Sequence, residues 1–127
     1  MPRVVGNGSG VTITTTTEQV GAVSAPISAP VGTPFALLAC VDVTTGTGVN
    51  GLTINLRRGS AITGQIVQGF GPEAVAASTR YIRTVAFFDT IPSEQAGLTY
   101  CVCVLQASAT GNGTINTALV RADWGYY

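Results

Sequence analysis

The stretch Leu52-Thr53-Ile54-Asn55-Leu56-Arg57 alternates apolar and polar residues without a break. In an extended chain neighbouring side chains point to opposite faces, so Leu52, Ile54 and Leu56 line an inward face and Thr53, Asn55 and Arg57 an outward one. That is a half-buried β-strand. Upstream of the loop 44–51, residues 34–43 are nearly all apolar (Phe35, Leu37, Leu38, Val41, Val43) and read as a central strand. Residues 23–27, bounded by Pro26 and Pro30, suit an edge strand or its corner. Residues 11–20 carry Thr12, Thr14, Thr15, Thr16 and Thr17, and β-branched threonine favours extended chain.

Downstream the same punctuation continues. A short strand is expected over 65–68, a turn at Gly69-Phe70-Gly71-Pro72, and a helical turn in the Ala-rich stretch 73–78. Strands follow over 79–90 and 98–108, and the turn Thr110-Gly111-Asn112-Gly113 leads to the last one, 114–121. About eight strands with almost no helix predict an all-β chain: a single antiparallel, jelly-roll-like β-sandwich over residues 11–127. Residues 1–10, with Gly6-Asn7-Gly8-Ser9-Gly10, read as a flexible N-terminal arm. No fixed-period repeat interrupts this single domain.

Composition speaks to function. Only 9% of residues are charged, against about a quarter in an ordinary domain. Six arginines balance six acids, and there is neither Lys nor His. A neutral chain offers no electrostatic footprint for nucleic acid, and no apolar run approaches the length of a membrane-spanning helix. So little charge predicts that much of the surface is buried against other subunits. The stretch Met1-Pro2-Arg3-Val4-Val5-Gly6 lacks the pattern of a secretory signal, so synthesis and assembly in the cytosol are expected.

Catalysis finds few tools. Without His or Lys the commonest acid–base and Schiff-base groups are missing. Asp89 and Glu94 are a conceivable carboxylate pair, but Asp89 is better read as closing the turn before Pro92. Three cysteines fall short of a four-ligand zinc site, no acidic loop is spaced for calcium, and no catalytic, cofactor or metal site is expected. Cys40, Cys101 and Cys103 are expected to be reduced and structural, a bridge from Cys40 to either of the others being the alternative. Gly46-Thr47-Gly48-Val49-Asn50-Gly51 spells a dinucleotide-loop pattern, but a strand follows where a helix is needed, leaving a hairpin loop. Asn7-Gly8-Ser9 and Asn112-Gly113-Thr114 are glycosylation sequons in form and turns in expectation. The arginines are expected in inter-strand or inter-subunit ion pairs.

The segment Asp89-Thr90-Ile91-Pro92, followed by Gly97-Leu98-Thr99-Tyr100-Cys101-Val102-Cys103-Val104, resembles a phrase of trimeric jelly rolls: an Asp-x-Pro turn, a glycine, then an aromatic-bearing alternating strand. It is similar to the tumour-necrosis-factor-like sandwiches of bacteriophage head-decoration proteins and fibre tips. The Cys101/Cys103 pair departs from that strand's usual pattern. The resemblance implies a non-enzymatic virion structural protein, a homotrimer or higher assembly that decorates a major capsid protein or another virion protein. A receptor- or glycan-binding fibre tip, and a filament subunit exchanging a donor strand at 11–20, are the alternatives. The interface residues expected are Val4, Val5, Val11 and Ile13 of the arm region, Phe70, and the terminal aromatics Trp124, Tyr126 and Tyr127.

Overall fold

Side chains that alternate in sequence alternate in space along ten strands. The computed structural model describes residues 2–29, 32–90 and 95–125. In chain order the strands are β1 (Arg3–Ile13), β2 (Gln19–Val23), β3 (Ile27–Ala29), β4 (Pro34–Thr44), β5 (Gly51–Arg58), β6 (Gln65–Ala74), β7 (Arg80–Thr90), β8 (Gln95–Leu98), β9 (Tyr100–Ala107) and β10 (Gly113–Asp123). Sheet A has the order β1-β10-β4-β7 and sheet B the order β2-β9-β5-β6, while β3 and β8 form a small pair. Every pairing is antiparallel. Only β5 and β6 are neighbours both in sequence and within a sheet.

The core lies between the sheets. In β4 the odd residues Phe35, Leu37, Ala39, Val41 and Val43 are buried while the even ones face outward. They meet Leu52, Ile54 and Leu56 of β5 and Tyr100, Val102 and Val104 of β9 in one apolar cluster. Phe35 stacks obliquely between Tyr100 and Trp124, with ring centroids 5.7 and 5.6 Å away. One flank of the sandwich is closed by β1 lying against β2. A Cβ on Gly6 would fall 1.7 Å from the Val23 carbonyl oxygen, so only glycine permits the approach.

Several expectations are corrected here. Residues 3–10 are no free arm: they belong to β1, which pairs with β10 from Arg3↔Asp123 to Ile13↔Gly113. Glycine and asparagine read as flexible, but β10 supplies a ladder for their backbone groups. The stretch 11–20 is broken, because residues 14–18 turn between β1 and β2 with Thr15 at φ 38°. The Thr15 amide donates to Asn112 Oδ1 at 3.1 Å, and its carbonyl accepts from Gln106 Nε2 at 3.0 Å. Partners about 90 residues away thus fix a turn that local propensity disfavours. The turn expected at 69–72 gives way to β6, which runs through Gly71 at φ 104° where the pairing with β5 shifts register, and the stretch expected as a helical turn at 73–78 is the end of β6 followed by a loop with a turn at Ala77-Ser78. The loops at 45–50 and 108–112 cross between sheets rather than closing hairpins. In the first, the Gly46 amide donates to the buried Gln106 side chain at 2.7 Å.

Candidate assembly surface

All six arginines are paired with carboxylates: Arg3 and Arg121 with Asp123, Arg57 with Glu18, Arg58 with Asp89, Arg80 with Asp42, and Arg83 with Glu73. The expected ion pairing is therefore met within one chain. Residues 91–94 of the turn expected before Pro92 are outside the described residues, and Asp89 lies within β7. It is buried on the inward face of β7, where it accepts from Arg58 Nη2 at 2.7 Å, Arg58 Nε at 3.1 Å and the Tyr100 hydroxyl at 2.6 Å. Burial, reinforced by that carboxylate, pushes the Tyr100 hydroxyl far above the ordinary tyrosine range. Glu94 lies outside the described residues. Asp42 receives Arg80 and Asn116 and is held down to about 2 by those hydrogen bonds.

With all six arginines paired, the outward side of sheet A carries a group of apolar side chains. The apolar outward residues of sheet A are Ala36, Leu38 and Cys40 on β4, Ile82, Ala86 and Phe88 on β7, Leu119 on β10 and Val5 on β1, interspersed with Asn7, Thr84 and Thr117. Phe88 is 71% exposed and Ile82 61%, the most exposed large apolar residues among those described. Register places Ala36 beside Phe88, Leu38 beside Ala86, and Cys40 between Thr84 and Leu119. Asp42 and Arg80 bound this face at one end, and Arg3, Arg121 and Asp123 at the other. Four strands of eleven residues make the whole outer side of sheet A, charged ends included, roughly 19 Å by 36 Å.

The expected interface residues fall into three groups. Ile13 is fully buried, and Val4, Val11 and Trp124 are partly buried and pack against the core of their own chain. Trp124 is held by Phe35, and β1 turns Val4, Val11 and Ile13 inward. Val5 and Phe70 are exposed, at 39% and 38%, the first on sheet A and the second on β6. Tyr126 and Tyr127 lie outside the described residues. Ile82 and Phe88 were not expected. The signal for one of them was the adjacent pair Phe87-Phe88, because two neighbours on a strand cannot both face the core. Cys40 sits on the outward face of sheet A, while Cys101 and Cys103 belong to sheet B, so the fold offers no bridge between them.

No protein-family model and no curated protein matches this sequence. Solved structures do match the fold. VP2 from a subviral particle of infectious bursal disease virus superposes with a TM-score of 0.64 at 6% identity, over 98% of this chain and 33% of the VP2 chain. A D431N mutant of VP2 from T=1 particles of that virus gives 0.64 at 10% identity, over 98% of this chain and 32% of its own. Eiger, a TNF from S. frugiperda, gives 0.57 at 8% identity, over 100% of this chain and 96% of its own. The chain has a jelly-roll-like fold. It spans about a third of the VP2 chains it matches and nearly the whole length of Eiger. At these identities the likeness is one of fold, and the jelly roll is shared by a viral-particle protein and a TNF.

Proposed function

We propose that this protein is a non-enzymatic structural component of a virion that assembles with copies of itself through the outward face of sheet A. The observation that carries the reading is that face: an apolar surface led by Phe88 and Ile82, in a chain whose arginines are all internally paired. A sheet face of roughly 700 Å² in projection approaches the ~800 Å² per partner of a standard interface. Contiguous exposed apolar residues within such a face, as Ile82 and Phe88 are here, mark interaction sites. The ion pairs at its two ends give a second copy complementary charges to register against. VP2 and Eiger support the reading by supplying a viral-particle protein and a TNF of the same fold.

The finer reading is a homotrimer decorating a bacteriophage capsid, located on the virion after assembly in the host cytoplasm. Cryo-EM of the particle that carries the chain tests it: density for this jelly roll on the shell, with sheet A covered by a neighbouring copy, is the expected result. Particles lacking the chain, or carrying it with that face open to solvent, refute it.

A second reading rests on Phe88 and Phe70, exposed aromatics of the kind that stack on sugar rings; Phe88 has Arg121 and Asp123 beside it. It makes the chain a glycan- or receptor-binding module, and binding to a glycan array that is lost in Phe88→Ala favours it. Donor-strand exchange finds no support, because residues 11–13 and 19–23 already pair with β10 and β9 of their own chain.

A further inference from the structure

The two edges of sheet A are built differently. On β1, Cβ atoms at Gly6 and Gly8 would fall 1.7 and 1.9 Å from the Val23 and Gly21 carbonyl oxygens of β2, so that edge is shut against the other sheet. At the opposite edge β7 has β4 as its only ladder partner among the described residues, and pairs with it over eleven residues without a register shift. The neighbouring edge of sheet B, β6, is blunted by Pro72 and by two register shifts against β5. Sheets commonly interrupt an edge in that way, because a long regular one is a template for another strand. β7 is both long and regular.

In an antiparallel ladder alternate residues turn both backbone groups toward the same neighbour. The Thr79 carbonyl accepts from the Thr45 amide at 2.9 Å, so the odd residues of β7 face β4 and the even ones face away. The open backbone groups therefore belong to Ile82, Thr84, Ala86 and Phe88, whose side chains are all exposed. The Ile82 carbonyl agrees with this direction, since it accepts from Arg83 Nη1 at 2.8 Å rather than from β4.

A second β7 fits this edge when it runs antiparallel about a two-fold axis at Val85. Ile82 then lies opposite Phe88 of the second copy, and Thr84 opposite Ala86. Four such pairs with two hydrogen bonds each give about eight in all. The two most exposed large apolar side chains among the described residues cover each other twice, as stabilising cross-strand pairs. No like charges meet, because Arg80 faces Thr90, Arg83 faces Phe87 and Asp89 faces Tyr81. An axis at Thr84 would instead set Arg80 against Phe88, and one at Ala86 would set Ile82 against Thr90. Arg83 gives up only the Ile82 carbonyl, and its Nε and Nη2 keep Glu73.

We propose that β7 pairs edge to edge with β7 of a second copy, joining two four-stranded sheets into one of eight strands. The inference rests on the self-assembly proposed above and adds a contact beside the face, leaving the apolar sides of the two copies continuous across the seam. Backbone hydrogen bonds exchanged with water are individually weak and association is costly, so the edges join copies that the face already gathers.

Residue-resolved hydrogen exchange on the parent chain, diluted and assembled, tests the edge without any variant. The amides of Ile82, Thr84, Ala86 and Phe88 should exchange at least about tenfold more slowly in the assembly, with the odd-numbered amides, bonded to β4 in both states, as reference. An assembly in which those four exchange as they do in the dilute chain overturns the edge contact and leaves the face reading standing. A chain that never associates overturns both. Ala86→Pro removes one open amide that β4 does not use, a place where an edge strand accepts proline. In sedimentation it should weaken assembly at least about tenfold, while Ala86→Val, of similar bulk with its amide kept, assembles as the parent does. A folded Ala86→Pro chain that assembles unchanged, or an equal loss in Ala86→Val, counts against the proposal.

Discussion

Replacing Asp89 by Ala leaves Arg58 and the Tyr100 hydroxyl facing each other at the end of the core with no acceptor between them. Asp89 is 6% exposed, and the side chain of Arg58 15%. Removing one partner of a buried pair costs about 3–5 kcal/mol, because the remaining charge stays desolvated. Arg58 keeps a hydrogen bond to Gln65 Oε1 at 3.2 Å, which places the loss near the lower bound. For a chain of this length about 3 kcal/mol corresponds to a midpoint roughly 10–15 °C lower. Urea titration followed by circular dichroism reads the change as a shift in midpoint at constant slope. The double variant Arg58→Met/Asp89→Leu removes both charges and should cost less than Asp89→Ala alone. An Asp89→Ala chain within about 1 kcal/mol of the parent would mean that water reaches the pair, and the reasoning would fail.

Three further predictions follow from the same geometry. Gly6→Ala forces a Cβ into the Val23 carbonyl and should destabilise by about 3 kcal/mol, read by thermal unfolding; an unchanged midpoint would show that β1 does not lie so close to β2. Deleting residues 2–10 strips most of β1 from β10 and should lower the thermal midpoint far beyond a few degrees, whereas a passive arm would leave it untouched. Because Asp42 is held at about 2 in the folded state, below its ordinary value, its contribution is present above about pH 4 and lost as pH falls through 2. Asp42→Asn should therefore be less stable than the parent at pH 6 and equal to it near pH 2, and a gap that persists in acid contradicts the assignment.

How far the chain's sequence reveals this fold depends on where each element's partners lie. β5 is legible because Leu52, Ile54 and Leu56 alternate cleanly, and β4, β7 and β10 fall within a few residues of expectation. The arm was misread because its glycines suggest mobility, when Gly6 is needed for the approach to Val23. The turn at 14–18 hid inside a threonine run, since what stabilises it comes from Asn112 and Gln106. The pairing of Arg58, Asp89 and Tyr100 is equally non-local and has no signature in any short window. The apolar side of sheet A was half legible: composition pointed to a surface short of charge, but which sheet carries the exposed apolar residues needed the register that sets Phe88 outward.

Sedimentation across a micromolar concentration range, run on the parent chain and on an Ile82→Arg/Phe88→Asp variant, tests self-assembly most directly. The account predicts a parent species that is a defined multiple of 12.9 kDa and a folded variant that sediments as the 12.9 kDa monomer. A parent that stays monomeric throughout, or a variant that assembles as the parent does, contradicts it.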